Sequence, residues 1–188
     1  KIQFTRGYSS ANTDGAIINI KGNSCHGATP QQGVDAVMIV SQLVMALQCI
    51  VSRNVDPLDS AVISVGIIEG GELTNSIAEE ATLKVTIRSL TTETRKLLKK
   101  RIFEITKGIC QAFGAKYTID YENGYPAVYN DEEVIKHIKN RATQILGEEN
   151  VKEAPQTNMG GDDYAYFLQK VPGAIFLLGG AFSDKKNY

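Results

Sequence analysis

Histidine is nearly missing from this chain. Its 188 residues include only two, His26 and His137. A closed zinc site takes four protein ligands and a catalytic one three, usually His, Cys or carboxylate in a tight constellation. The three cysteines, Cys25, Cys49 and Cys110, supply no such cluster. They contain no CxxC pair, and an odd, irregular set is not a disulfide framework, so they read as reduced thiols in a cytoplasmic protein. There is no excess of charge: 20 Lys+Arg stand against 21 Asp+Glu, a net charge of −1. That balance argues against a nucleic-acid coat or a polybasic membrane anchor, both of which need a concentrated positive surface. No apolar run reaches the roughly 18–20 residues of a membrane span, and no basic start leads into an apolar core as in a signal peptide. Proline is scarce, with 5 against 17 glycines, so tight turns are expected rather than a stiff linker.

What is present is a globular pattern, with 43% hydrophobic residues. Gly15 to Lys21 reads as a strand, followed by the loop Ser24-Cys25-His26-Gly27-Ala28-Thr29-Pro30. Val37, Val40, Val44, Leu47 and Val51 recur at helical spacing, and Met38, Ile39, Leu43 and Ile50 widen the stripe, so this helix is covered on more than one side. Ala61–Ile68 is a β-rich run closed by Gly70-Gly71. Ala81, Leu83, Val85 and Ile87 alternate with Thr82, Lys84, Thr86 and Arg88, the period-two signature of a strand with one buried face. A second helix starts at an N-cap, Thr91 or Thr92, with Glu93 in its first turn and Gly114 past its end. Its expected stripe is Leu98, Ile102, Ile105, Ile109 and Phe113; Tyr117, Ile119 and Tyr121 then alternate as a strand.

The order from about residue 15 to 122 is β-α-β-β-α-β, the ferredoxin-like split pattern of an antiparallel sheet under two helices. After Gly124-Tyr125-Pro126 the pattern changes. Asn130 is the expected N-cap of a helix with Glu133 at N3 and a stripe of Val134, Ile138, Ala142 and Ile145. A short helix through Tyr164–Leu168 and a buried strand over Ala174–Leu178 follow. These 65 or so residues bury too little to stand alone. They and the first dozen residues read as pieces of another domain, interrupted by the inserted unit: 14–123 for the insert, 1–13 and 124–188 for the incomplete flanks.

Few residues carry chemistry on their own. His137 lies off its helix stripe and reads as solvated surface. His26 sits in a glycine-bounded loop stiffened by Pro30, where functional side chains concentrate, although the plain reading of a lone loop histidine is polar surface. Asn75 follows Gly70-Gly71 in a loop and Arg88 ends the polar face of its strand. Their plain readings are a turn former and a surface cation. Together a His, an Asn and an Arg could bind a carboxylate and a carbonyl oxygen, but no spacing rule makes that specific. Gly160-Gly161-Asp162-Asp163 fits a close backbone approach or a helix cap. The run Arg95-Lys96 to Lys99-Lys100-Arg101 reads as a solvated face.

Several stretches resemble a known family. Cys25-His26-Gly27-Ala28-Thr29-Pro30 with Gly33-Val34-Asp35-Ala36 is similar to the "HGAxP…GvDA" stretch of the zinc-dependent amidohydrolases: hippurate hydrolases, N-acyl-amino-acid deacylases and auxin-conjugate hydrolases. The likeness continues through Asn75-Ser76-Ile77-Ala78, Thr86-Ile87-Arg88, Gly124-Tyr125-Pro126, Met159-Gly160-Gly161-Asp162-Asp163-Tyr164 and Val171-Pro172-Gly173. It departs at Val85, where the family has Gly, and at Gly161-Asp162-Asp163-Tyr164, where it has "SEDF".

The resemblance implies a ferredoxin-like lid and dimerisation domain inserted in an α/β metal-hydrolase domain that is only partly present. It implies that His26 reaches an active site, generally the partner subunit's, and stabilises the oxyanion of amide hydrolysis, a role worth about 3–4 kcal/mol per donor. It implies substrate binding by Asn75, Arg88, Gly160 and Gly161, with Arg88 meeting an anion. The full-length protein would be a homodimeric amidohydrolase of N-acyl amino acids with two divalent metal ions, zinc or manganese/cobalt. The family's metal-ligand stretches and catalytic Glu-Glu are absent here; Glu79-Glu80 lies in the lid and is not that pair. This chain alone is therefore expected to hold no metal and to be inactive. The alternative is a non-catalytic dimerisation or small-molecule-binding module descended from such an enzyme.

Overall fold

The computed structural model describes residues 1–154 and 157–180. In chain order the strands and helices are β1 (Ile2–Phe4), β2 (Gly7–Ser10), β3 (Asn12–Lys21), α1 (Ala36–Asn54), β4 (Ala61–Gly70), β5 (Glu80–Ser89), α2 (Thr92–Phe113), β6 (Lys116–Asn123), β7 (Val128–Asn130), α3 (Glu132–Leu146), β8 (Val151–Glu153), α4 (Ala165–Leu168) and β9 (Phe176–Leu178). The chain forms two compact units. One is Asn12–Gly124; the other joins Lys1–Ala11 to the chain from Tyr125 onward.

The unit Asn12–Gly124 is a ferredoxin-like α+β sandwich. Its four strands are all antiparallel, in the order β4-β5-β3-β6. Ala16, Ile18 and Ile20 of β3 and Ala81, Leu83, Val85 and Ile87 of β5 turn inward against Ile39, Val40, Leu43, Leu47 and Ile50 of α1 and Leu98 and Ile102 of α2. Each fully buried aliphatic side chain contributes about 1.5–3 kcal/mol. The other sheet face carries Thr82, Lys84, Thr86 and Arg88. β4 has a bulge between Val65 and Ile67 that returns Ile67 to the solvent face beside Lys84. α1 is long and apolar enough to cross a membrane by length and composition, but it is the core helix of this sandwich.

Helix ends follow the local chemistry. Thr91 caps α2 by accepting from the Thr94 N–H, and Gly114 ends it with a left-handed φ of 72°. The buried stripe of α2 differs at its far end from the expected one. Thr106 and Cys110 take the inward positions, and Phe113 is exposed.

The other unit has a three-stranded sheet, β8-β1-β9, with β1 parallel to β8 and antiparallel to β9, and a β2–β7 pair. Asn130 is not the cap of α3; Asp131 is, accepting from the Glu133 and Val134 N–H groups. Asn130 is buried instead, its amide donating to the Thr5 and Ile175 carbonyls while its oxygen accepts from the Ile175 N–H. The strand expected to be buried over Ala174–Leu178 is short and open. Phe176, Leu177 and Leu178 are all exposed, at a sheet edge that no described element covers. On α3 only Ile135 is buried, and Ile145 is 78% exposed.

Candidate functional site

His26 and Asn75 lie far apart in sequence and side by side in the fold. The loop after β3 and the loop before β5 are laced by backbone hydrogen bonds: Gly22 N–H to Glu79, Gly27 N–H to Asn75, Ile77 N–H to Cys25 and Ala36 N–H to Ala78, all 2.7–3.1 Å. His26 and Ser76 form an antiparallel bridge, and the Ser24 and Ser76 hydroxyls meet at 3.1 Å. A Cβ on Gly27 would press on the Asn75 main chain at 3.1–3.2 Å, and two further glycines let the loop after β3 fold tightly on itself. A Cβ on Gly33 would lie 2.6 Å from Cys25 Sγ and 2.7 Å from the Asn23 oxygen, and one on Gly22 would collide with the Val34 carbonyl.

The imidazole is oriented by its own loop. His26 Nδ1 accepts from the Ala28 N–H at 3.1 Å, and the His26 carbonyl accepts from the Thr29 N–H at 2.9 Å. A neutral imidazole whose Nδ1 accepts carries its proton on Nε2. Nε2–H is thus an exposed donor, with the exposed Asn75 amide on the adjoining loop. Neither group has a partner among the described residues.

Arg88 is at the other end of β5. It lies eight residues beyond Glu80, about 26 Å away at roughly 3.3 Å per residue. The half-buried guanidinium donates through Nη1 to the carbonyls of Ile87 at 2.8 Å and Asp14 at 3.3 Å. The anion expected for it is not provided by the described residues, among which Arg88 makes no ion pair. One chain therefore brings His26 and Asn75 together and keeps Arg88 apart from them.

Asp14, which the sequence reading passed over, organises the Arg88 end. Its side chain is 2% exposed. Arg95 grips the carboxylate with two nitrogens, Nε at 2.9 Å from Oδ2 and Nη2 on Oδ1. The Tyr121 hydroxyl donates to Oδ2 at 2.9 Å and the Gly124 N–H to Oδ1 at 3.0 Å. Burial alone would raise the pKa of Asp14, but the Arg95 and Tyr121 hydrogen bonds, the Arg95 charge and the Gly124 N–H together hold it below the ordinary carboxylate value. Burial, and then the charge of Asp14, push the Tyr121 hydroxyl up. Arg95 is thus not part of a solvated face. The overlooked signal was an acid at the inward position of β3, in phase with Ala16, Ile18 and Ile20.

Gly160 and Gly161 belong to the other unit. The Gly160 carbonyl accepts from the Ala11 N–H at 2.8 Å, and its own N–H donates to the Asn158 side chain. Gly161 lines a cavity of about 300 Å³ with Ser9, Ser10, Asn158 and Asp162 among others. Asp162 caps the following turn by accepting from the Tyr164 N–H at 2.9 Å. His137 is exposed on α3. Among the described residues no group of three or more His, Cys, Asp or Glu could hold a metal ion. The described residues do not fit a dinuclear centre.

Comparison with known proteins matches this architecture. Residues 8–113 match the peptidase dimerisation domain model. The N-acetyldiaminopimelate deacetylase of Halalkalibacterium halodurans is 43% identical over 180 residues, 95% of this chain and 47% of that protein. The Priestia megaterium enzyme of the same name is 42% identical, with the same coverage. A crystal structure from methicillin-resistant Staphylococcus aureus superposes with a TM-score of 0.89 at 26% identity, covering 100% of this chain and 48% of that one. A Bacillus subtilis protein, YxeP, described as a dinuclear metal-binding peptidase of the M20 family, gives 0.73 at 22% identity, covering 93% and 43%. The chain spans about half the length of the curated relatives it matches. With its ferredoxin-like insert and its matched core, the chain belongs to the M20 peptidase dimerisation domain family.

Proposed function

We propose that the full-length protein is a homodimeric, metal-dependent amidohydrolase that cleaves the amide bond of N-acyl amino acids. The observation that carries this reading is the outward Nε2–H of His26, fixed by the Ala28 N–H on Nδ1 and set beside Asn75 by the Gly27–Asn75 hydrogen bond. A preorganised, exposed donor pair suits a carbonyl oxygen that gains charge during hydrolysis. The names of the deacetylase relatives point to an N-acyl amino acid substrate, and that of the M20 peptidase points to two divalent metal ions. Those ions would be held outside the residues described here.

The separation of the two ends bears on assembly. If Arg88 grips the substrate carboxylate while His26 serves the carbonyl, about 26 Å along one strand is too far for a small amide, so the two groups come from different subunits. The free edge of β4 suits such a dimer. Its ten residues carry one charge, Glu69, and leave Ile67 and Ile68 exposed. The opposite edge strand, β6, carries Lys116, Asp120 and Glu122. A long, nearly uncharged edge is the one that accepts a second strand.

Subunit complementation tests both points. Full-length His26→Ala and Arg88→Ala are each expected to lose at least about a hundredfold in turnover of an N-acetyl amino acid. Unfolding and refolding them as a mixture should restore about a quarter of wild-type activity, since half the dimers are mixed and one of their two sites is intact. No recovery, with mixed dimers shown by mass spectrometry, overturns the shared site. Near-normal turnover by His26→Ala overturns the histidine's role and favours a non-catalytic module.

A further inference from the structure

We infer that Asp14 is a positioning residue for Arg88, and that it sets the affinity of the protein for the carboxylate of its substrate. The inference rests on the proposed reading of Arg88 as the carboxylate clamp. Two guanidinium groups converge on this one residue from opposite faces of the sheet. Arg95, from α2, takes both carboxylate oxygens. Arg88, on the solvent face, donates Nη1 to the Asp14 main-chain carbonyl.

The carboxylate has two effects on Arg88. It cancels the charge of Arg95, which would otherwise add a second cation behind the same strand. It also fixes the backbone whose carbonyl Arg88 uses, because Tyr121 and the Gly124 N–H bind the remaining lone pairs. Gly124 itself sits so close that a Cβ there would overlap the Thr13 carbonyl oxygen. Thr13 is the residue paired with Arg88 across the β3–β5 ladder. Side chain, exit turn and ladder thus hold one backbone segment in one place. A guanidinium with only carbonyl partners keeps donors for an incoming carboxylate, and its fork geometry makes that capture directional. A clamp of this kind depends on placement, where an error of about 1 Å can cost on the order of a hundredfold.

The test uses the full-length enzyme, the N-acetyl amino acid it cleaves fastest from a panel, and the corresponding C-terminal carboxamide. Asp14→Asn is expected to raise KM for the carboxylate about tenfold while changing kcat less than about threefold, and to shrink the preference for carboxylate over carboxamide by the same factor. Combined with Arg88→Ala, Asp14→Asn should add little to the loss from Arg88→Ala alone. Tyr121→Phe, which removes one of the four hydrogen bonds to Asp14, should shift KM in the same direction by a smaller factor and serves if Asp14→Asn does not fold. An unchanged carboxylate preference in folded Asp14→Asn or Tyr121→Phe overturns the inference. So does an equal loss on both substrates, which marks a merely structural role. If Arg88→Ala keeps the carboxylate preference, the reading of Arg88 fails instead. If nothing in the panel is cleaved, the amidohydrolase reading falls and takes the inference with it.

Discussion

The two ends of the four-stranded sheet solve the placement of a polar side chain in opposite ways. At one end His26 and Asn75 are exposed, and what holds them is mainly main chain: the laced loops, the Ala28 N–H on Nδ1, and glycines where a Cβ would not fit. At the other end Arg88 is half-buried and donates to the Asp14 and Ile87 main-chain carbonyls, and what holds the Asp14 segment is charge: a buried carboxylate gripped by Arg95, Tyr121 and the Gly124 N–H. Main-chain lacing leaves side-chain donors free to face outward. Charge clamping fixes a cation against a neighbouring carbonyl but makes its position depend on the ionisation of one acid. The two ends should therefore differ in their response to pH and to substitution.

The largest expected contrast is at Asp14. Asp14→Asn leaves Arg95 without its buried counter-charge and should cost about 3 kcal/mol near neutral pH, read as a lower denaturation midpoint in urea. The pH dependence has a definite sign. The folded-state pKa of Asp14 lies below its unfolded value, so its contribution is full above the unfolded pKa of about 3.9 and is lost as pH falls through the folded value. The gap between wild type and Asp14→Asn should narrow steadily below about pH 4. A gap of constant size across that range would break the comparison, because charge would then not be what holds this end.

At the main-chain end the sensitive substitution is a methyl group. Gly33→Ala places a Cβ against Cys25 Sγ and the Asn23 carbonyl, and it should cost about 1–3 kcal/mol through overpacking. Because the strain falls on the loop that carries His26, turnover by the full-length enzyme should fall more than its stability does. The stability loss should not depend on pH between about 3 and 5, unlike that of Asp14→Asn. Circular-dichroism melts over that range decide the point.

The same contrast separates what the sequence could disclose from what it could not. Periodicity located β3 through β6, and the Thr91 cap and Gly114 stop of α2 are local events that local residues announce. The pairing of His26 with Asn75 depends on hydrogen bonds between loops some fifty residues apart, such as Gly27 to Asn75, and no short-range pattern contains them. Resemblance to a family gave His26, Asn75 and Arg88 their expected roles, and the period-two pattern set Arg88 at the end of its strand; that the His26 loop joins the other end of that strand is visible only in the fold. Asp14 and Arg95 each looked ordinary alone, an acid in a strand and a cation in a basic run; only the fold makes them partners. Asn130 and Asp131 both suit a helix cap, and the choice fell to Asp131 because Asn130 is claimed by Thr5 and Ile175. The strand over Phe176–Leu178 is apolar yet exposed, since burial depends on a covering layer that no local pattern reveals.

The smallest expected effect is the most direct control. The main-chain end also has an ion pair, Lys21 with Glu79 and Glu80 at 3.5 and 3.2 Å. The Glu80 hydrogen bond, followed by the nearby Glu79 and Glu80 charges, raises the Lys21 pKa. Yet its side chain is 57% exposed, where water and salt screen the pair. Lys21→Ala should leave the melting temperature within replicate error, at low salt and at physiological salt alike. The Asp14–Arg95 pair is the shorter of the two, 2.5 Å at Nη2 against 3.2 Å at Lys21, and it is the buried one. Burial is what makes its charge count. A measurable, salt-sensitive loss in Lys21→Ala would mean that charge also holds the loop end, and the division of labour between the two ends of the sheet would have to be redrawn.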